Sequence, residues 1–182
     1  MITELAPCAH TEIAEAIRQA TMEVFSTMLS IDIAAGEVTV GKTVPGKQSG
    51  VIALLGLTGE RSGAGQFSCE PAFACRIASQ MLMAEYEEIG EDVLDAIAEV
   101  ANMIVGNIKN TLETYLGPMG LSTPNIVFGA EFDTRIAGNP DRVTVPFTSG
   151  NDTMTVQVVL AQKRVGFVAR EQHHAGHLAL AH

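Results

Sequence analysis

Four residues near the middle of the chain recur at helical spacing and could do chemistry together. They are, in chain order, Asp95, Glu99, Asn102 and Gly106. A helix advances about 100° per residue, so with the first residue at zero the others fall near about 40°, −20° and 20°. The spacing therefore predicts one shared helix face. A carboxylate there can pair with a cation of a partner, and an amide, which donates and accepts at once, can hold a water molecule.

The helix that would carry this face runs from Glu91 to about Leu116, where Gly117-Pro118 stops it. A helix-interior glycine costs about 1 kcal/mol relative to Ala, so Gly106 indicates that another backbone approaches closely. That backbone would belong either to a partner or to a crossing helix of the same domain. The opposite side of the helix predicts a continuous core face, made of Leu94, Ile97, Ala101, Ile104, Val105, Ile108 and Leu112.

Acidic residues crowd the start of the same helix. Seven of the chain's 21 Asp and Glu residues lie between Glu85 and Glu99, and no Lys or Arg occurs from Ile77 to Ile108. Negative charge near a helix N-terminus is favoured by the helix dipole. Charge alone favours a solvated acidic face, and the alternative is a docking surface for a partner's cation.

The composition bounds the class of protein. The chain has 182 residues, a formal net charge of −10 and 47% hydrophobic residues. This predicts one folded domain over residues 1–182, with a core from about 10 to 162 and a tail from about 163 to 182. The acidic balance argues against nucleic acid and anionic membrane surfaces as partners. No apolar run reaches the roughly 20 residues of a membrane helix, and the start does not read as a signal peptide, so a cytoplasmic location is expected.

The order of elements predicts an α+β fold. Apolar spacing indicates a helix at 11–29, capped by Thr11 and carrying Met28 on its core face, and a short helix that begins at Pro71. Because strands come in runs and helices are grouped, we expect a largely antiparallel sheet of about six strands, packed with two long helices and a short one.

Pro146 inside its strand indicates a sheet edge or a bulge. A Gly-rich turn is expected at 59–65, a longer turn in the last hairpin, and strands at 37–44, 51–57, 66–70, 125–129, 142–147 and 154–161.

Other candidates for chemistry are weaker. His173, His174 and His177 would need a helical tail to bind a metal ion and have no acidic or Cys neighbour, which favours a frayed tail. Cys69 and Cys75 lack C-x-x-C spacing and are expected as buried thiols rather than zinc ligands. The Gly-rich turn lacks the G-K-[ST] of a P-loop, and the chain has no G-x-S-x-G. No metal site is therefore predicted.

The polar helix face also carries a family pattern. D-x-x-x-E-x-x-N, followed by M-I-V-G-N, resembles the active helix of the CheC/CheX/FliY chemotaxis phosphatases. The stretch DVLDAIAEVANMIVGNIKNTLE is most similar to CheX. EVFSTML at 23–29, the short helix and STPNIVFG at 122–129 occur in the order of the family pattern, which then covers roughly residues 10–162.

The resemblance implies a function and a role for each residue. The family removes phosphate from the aspartyl phosphate of response-regulator receiver domains, typically phospho-CheY. Glu99 matches the glutamate that pairs with the receiver's lysine, and Asn102 matches the asparagine that orients the attacking water. Asp95 matches a position that supports the partner contact, and Gly106 lies on the same face beside Glu99 and Asn102. The resemblance also implies Mg²⁺ on the receiver, no cofactor of the chain's own, and a homodimer.

One departure from the family pattern concerns the first helix. CheC-type chains usually carry a second E-x-x-N there, whereas TEIAEAIRQATMEVFSTML contains none. The chain is therefore expected to have a single site, as in CheX. Two other classes of function stay open: a non-catalytic adaptor that binds receivers or a flagellar-switch-like assembly, and a ligand-sensing α+β domain.

Overall fold

Three helices and eight strands are found in the described part of this computed structural model, which covers residues 7–42, 48–132 and 141–161. The helices are α1 (Pro7–Val24), α2 (Pro71–Leu82) and α3 (Glu91–Leu116), and a π-helical turn, Phe25–Leu29, continues α1. The strands are β1 (Ala34–Ala35), β2 (Thr39–Gly41), β3 (Gln48–Gly59), β4 (Gly63–Cys69), β5 (Met119–Leu121), β6 (Asn125–Phe132), β7 (Arg142–Ser149) and β8 (Asp152–Leu160).

The strands form one sheet in which every described pair is antiparallel. Strands β1 and β2 both pair with β7, the order continues through β8, β4 and β3, and β5 and β6 both pair with β3. The predicted α+β class and antiparallel sheet are confirmed. The sheet has eight strands rather than six because β1 and β5 are two and three residues long, too short to show alternation in a sequence.

Helix α3 packs through one continuous face against α1, α2 and the sheet. Its predicted bounds and its predicted core face are confirmed, except that Leu94 is only partly buried. The core face is continuous because apolar side chains at three- and four-residue spacing line one stripe of a helix. The buried residues are Val93, Ala96, Ile97, Val100, Ala101, Ile104, Val105, Ile108 and Leu112.

The Gly-rich segment 59–65 is not the simple turn that was expected. Gly63 and Gly65 already belong to β4. A Cβ on Gly63 would collide with the carbonyl oxygen of Val159, and one on Gly65 would lie 2.5 Å from Cγ1 of Val105. These glycines therefore let β4 lie close to β8 on one side and to α3 on the other.

The first helix differs from its prediction at both ends. Its described part starts at Pro7, so Thr11 lies inside α1 and is not its N-cap. At the other end, the π-helical turn changes the side-chain register, because each of its hydrogen bonds spans five residues. Phe25 and Leu29 are both buried as a result, whereas Met28, expected on the core face, is 57% exposed.

Strand β7 is not at the edge of the sheet, as Pro146 had suggested. It pairs with β8 on one side and with β1 and β2 on the other. Pro146 falls in the gap between β1 and β2, where it donates nothing and its carbonyl accepts a bond from Gly36 (2.8 Å). On the other side it pairs with Thr155 of β8 without a register shift, so its position is a gap between two short strands and neither the edge nor the bulge that was expected. The hairpin to β8 is also tighter than expected, since Ser149 pairs directly with Asp152.

Two further expectations concern membranes and the tail. Among the described residues, no helix combines the length and the apolarity that a membrane span requires. The tail from 163 and its three histidines lie outside the described residues.

We expect Gly65→Ala to destabilise the fold, because the new methyl group would overlap a branched side chain that cannot turn away. Overpacking of this kind costs about 1–3 kcal/mol, measurable by urea denaturation. Gly56→Ala in β3 is the matched control, since its nearest atom would be Ser122 Oγ at an ordinary 3.4 Å. Equal stability of the two variants would contradict the tight contact between Gly65 and Val105.

Candidate functional site

The structure places the predicted site residues on one exposed stripe of α3. Asp95 and Glu99 are exposed, and Asn102 is partly buried. Glu99 and Asn102 are one turn apart, a rise of about 4.5 Å along the axis. No hydrogen bond or ion pair engages these three side chains within the described ranges. A carboxylate and an amide are therefore available together to an incoming molecule.

The stripe ends where β5 crosses α3. Gly106 is partly buried, and the nearest atom to a Cβ there would be Cδ2 of Leu121, at 3.8 Å. One turn further on, the ammonium group of Lys109 lies 2.8 Å from the Glu113 carboxylate and donates to the carbonyl of Met119 at 3.3 Å. Strand β5 thus covers the C-terminal part of the face that Asp95 begins.

The same contacts show what Gly106 does inside this chain. In the described fold, the one atom of another element within 4 Å of the missing Cβ belongs to the Leu121 side chain, and no backbone of another element comes that close. The helix crossing that was considered as an alternative is therefore not found in this part of the chain. Close approach of a partner's backbone stays a prediction.

Glu113 ties the end of the stripe to β5. Its carboxylate accepts a bond from the backbone N–H of Met119 at 2.8 Å. The hydrogen bond from Lys109, and then the one from Met119, lower the pKa of Glu113. The carboxylate is therefore held charged, and it orders the turn between α3 and β5.

The other end of the stripe is the acidic start of α3. Gly90 is extended and precedes the first turn, which contains Glu91 and Asp92. The hydroxyl of Tyr86 donates to Oδ2 of Asp92 at 3.3 Å. Desolvation, together with the Asp92 charge, raises the pKa of Tyr86, so the phenol keeps the proton with which it bonds. The connection between α2 and α3 is thereby held against the N-terminal turn of α3.

The site is a surface and not a pocket. A cavity of about 250 Å³ lies instead beside β3, β4 and β8, lined among others by Ser49, Ser68 and Gln157. In the described part of the chain, no three His, Cys, Asp or Glu side chains gather closely enough to hold a metal ion. Cys69 and Cys75 are buried free thiols, as expected, and burial above all raises the pKa of Cys69 to about 12.

Sequence reasoning located the stripe but missed its two boundaries. The Lys109–Glu113 pair has the i, i+4 spacing that stabilises helices and could have been noticed. The bond between Tyr86 and Asp92 has no comparable signal, because it depends on how the loop folds back.

The geometry defines the class of protein as an α+β domain whose longest helix buries one face on an antiparallel sheet and offers a polar stripe on the other. The family model of the chemotaxis phosphatase CheX matches residues 51–148, more than half of the chain and the whole of α3. The chain belongs to the CheX family.

Solved structures of other proteins have the same fold. A chemotaxis protein CheX from Desulfovibrio desulfuricans is 28% identical, with a TM-score of 0.74, and the match covers 82% of this chain and 99% of that one. A putative chemotaxis protein from Desulfovibrio vulgaris Hildenborough is 26% identical (TM-score 0.75; 82% and 96% covered). A Borrelia burgdorferi CheX, solved as a complex with CheY, BeF₃ and Mg²⁺, is 22% identical (TM-score 0.68; 81% and 97% covered). No curated protein matches the chain.

We expect Gly106→Ala to stabilise the isolated protein. The added methyl group would make ordinary contact with Leu121, and Ala is favoured over Gly in a helix by about 1 kcal/mol. The midpoint of thermal unfolding should therefore rise by about 2–4 °C. A lower midpoint would show that the described fold itself requires a glycine.

We expect Glu113→Gln to weaken the fold at neutral pH and not at low pH. A carboxyl whose pKa is lowered on folding stabilises the folded state above its unfolded pKa, near 4.5, and loses that effect as the pH falls below it. Thermal unfolding of both proteins from pH 7 to pH 3 tests this. A gap in midpoint that stays constant over that range would contradict the role of the charge.

Proposed function

We propose that this chain accelerates hydrolysis of the aspartyl phosphate of a response-regulator receiver domain of the CheY type. The observation that carries the proposal is the pair of Glu99, which is exposed, and Asn102, which is partly buried, one turn apart on α3 and unengaged within the described part of the chain. Membership of the chemotaxis phosphatase family supports it. The complex of the Borrelia burgdorferi CheX with CheY supports a receiver as the partner.

In the proposed mechanism Asn102 positions the nucleophile. An acyl phosphate is already reactive, so acceleration depends on bringing water in line with the bond that breaks. The amide can accept a hydrogen bond from the water and donate one to a phosphoryl oxygen, which needs no shifted pKa. The water oxygen bonds to phosphorus while the bond from phosphorus to the aspartyl oxygen breaks. The products are a free carboxylate and inorganic phosphate, which retains the oxygen and protons of the water.

Glu99 has the docking role in this proposal. Its carboxylate pairs with the receiver's lysine and sets the position of α3 against the phosphorylated site. Asp95 supports the same contact one turn earlier. Gly106 lets the receiver's backbone approach the helix. The Mg²⁺ ion of the reaction belongs to the receiver, and the described residues supply no cluster for another ion.

We expect Asn102→Ala to remove most of the stimulated phosphate release while the receiver still binds. Loss of water positioning should lower kcat by about 10²-fold or more. The measurement is phosphate release from a receiver that is phosphorylated on its aspartate. Affinity for the receiver carrying BeF₃ should change little. Binding without acceleration by the unaltered protein would favour the alternative, a non-catalytic receiver-binding or flagellar-switch adaptor.

We expect Glu99→Gln to act on binding instead. Loss of the ion pair should raise KM about 5- to 30-fold, corresponding to about 1–2 kcal/mol, with a smaller change in kcat. Glu12→Gln on α1 removes the same charge from another exposed position and should leave KM unchanged. If the protein leaves the dephosphorylation rate of every receiver of the host unchanged, the proposed function is wrong.

The expected homodimer is a separate proposal. It comes from the resemblance alone, and the Pro146 strand gives no support because β7 lies inside the sheet. Light scattering of the full chain in solution decides between one copy and two.

A further inference from the structure

The C-terminal end of α2 presents two apolar side chains to solvent. Leu82 is 42% exposed and Met83 is 95% exposed, whereas no other exposed large hydrophobic residue among those described exceeds 60%. Isolated exposed apolar residues are normal on a protein surface. Met83 buries almost none of its side chain in this fold, and a second exposed apolar residue, Leu82, precedes it in the chain.

The fold holds Met83 in a fixed place. Its backbone is left-handed, with φ at 53°, and its N–H bonds to the carbonyl of Ser79. The following N–H, of Ala84, bonds to the same carbonyl at 3.3 Å, and that of Tyr86 bonds to the Ser79 hydroxyl at 3.0 Å. The apolar pair thus lies on a hydrogen-bonded cap and not on a loose loop.

The cap adjoins the polar stripe of α3. Tyr86 is three residues from Met83, so their Cα atoms lie within about 11 Å, and the Tyr86 hydroxyl bonds to Asp92 at 3.3 Å. Asp92 is one turn before Asp95, where the stripe begins. The apolar pair is therefore linked, through Tyr86, to the end of α3 at which the stripe begins.

Carboxylates follow the apolar pair along the chain. Glu85, Glu87 and Glu88 in the connection are exposed. Together with those of α3 they make seven carboxylates from 85 to 99, and no Lys or Arg lies between 77 and 108. None of the seven forms an ion pair within the described residues. Such a surface is complementary to one with an apolar recess bordered by basic residues.

We propose that Leu82 and Met83 form a second docking contact for the receiver domain, inserted into an apolar recess with a basic border beside the phosphorylated site. The inference rests on the proposed function and deepens it. Glu99 and Asn102 address what all phosphorylated receivers share, whereas an apolar contact depends on the shape of one receiver's surface. The pair would therefore select which receiver is dephosphorylated.

Met83→Gly tests this contact without damaging the fold. Glycine is the residue most often found at a left-handed helix cap, so thermal stability should stay the same or rise. Phosphate release should show a KM for the receiver at least about fivefold higher with kcat unchanged, the opposite of the Asn102→Ala result. Met83→Leu should restore most of the affinity, because an apolar side chain of similar size returns.

Tyr115→Ala is the matched control. It removes another exposed apolar side chain (60% exposed) about 30 Å further along α3 from Asp95, and it should leave KM unchanged. If Met83→Gly also leaves KM unchanged while Asn102→Ala lowers kcat, the docking contact is wrong and the proposed function stands. If the unaltered protein accelerates no receiver, both are wrong together.

Discussion

Burial of one complete face of α3 is the constraint on which the other functional features depend. Nine of its side chains are removed from water, and the contact of Val105 with Gly65 allows the helix to lie directly on β4. A helix fixed in this way has no rotational freedom, so the opposite face is fixed as well. Asp95, Glu99 and Asn102 are thereby held at set positions by the core and need no contacts among themselves.

This arrangement suits a reaction whose chemistry belongs mainly to a partner. Side chains on a rigid helix are placed more accurately than side chains on loops, and water positioning tolerates little error. The two ends of the stripe are marked by local contacts, with β5 and the Lys109–Glu113 pair at one end and the bond between Tyr86 and Asp92 at the other. Between these contacts lies a short segment of α3 that a partner can reach, and on it an amide and a carboxylate lie one turn apart.

Periodicity predicted the long elements well because their burial is continuous. Helix α3 and the short α2 were placed within a residue or two, and the polar stripe followed from the core face opposite it. The errors have local physical causes. Strand β5 is held by Glu113 and Lys109, which both bond to the backbone of Met119. Gly63 is a strand residue because β8 lies too close to it for a side chain. Pro146 lies opposite a gap between two short strands, which no sequence pattern shows. The roles of Glu99 and Asn102 came from family resemblance, since an exposed E-x-x-N has no chemistry of its own without its partner.

The π-helical turn at the end of α1 gives the chain one residue more than an α-helix would need over the same rise. Because of that extra residue Phe25 reaches the core, where its ring centre lies 6.1 Å from that of Phe73 on α2, while Leu29 is buried as well. Deleting one residue from Phe25–Leu29 would remove the extra residue that the π-helical turn accommodates and return the segment to α-helical geometry. The turn thus ties the end of α1 to the position of α2, because Phe25, its first residue, packs its ring against that of Phe73.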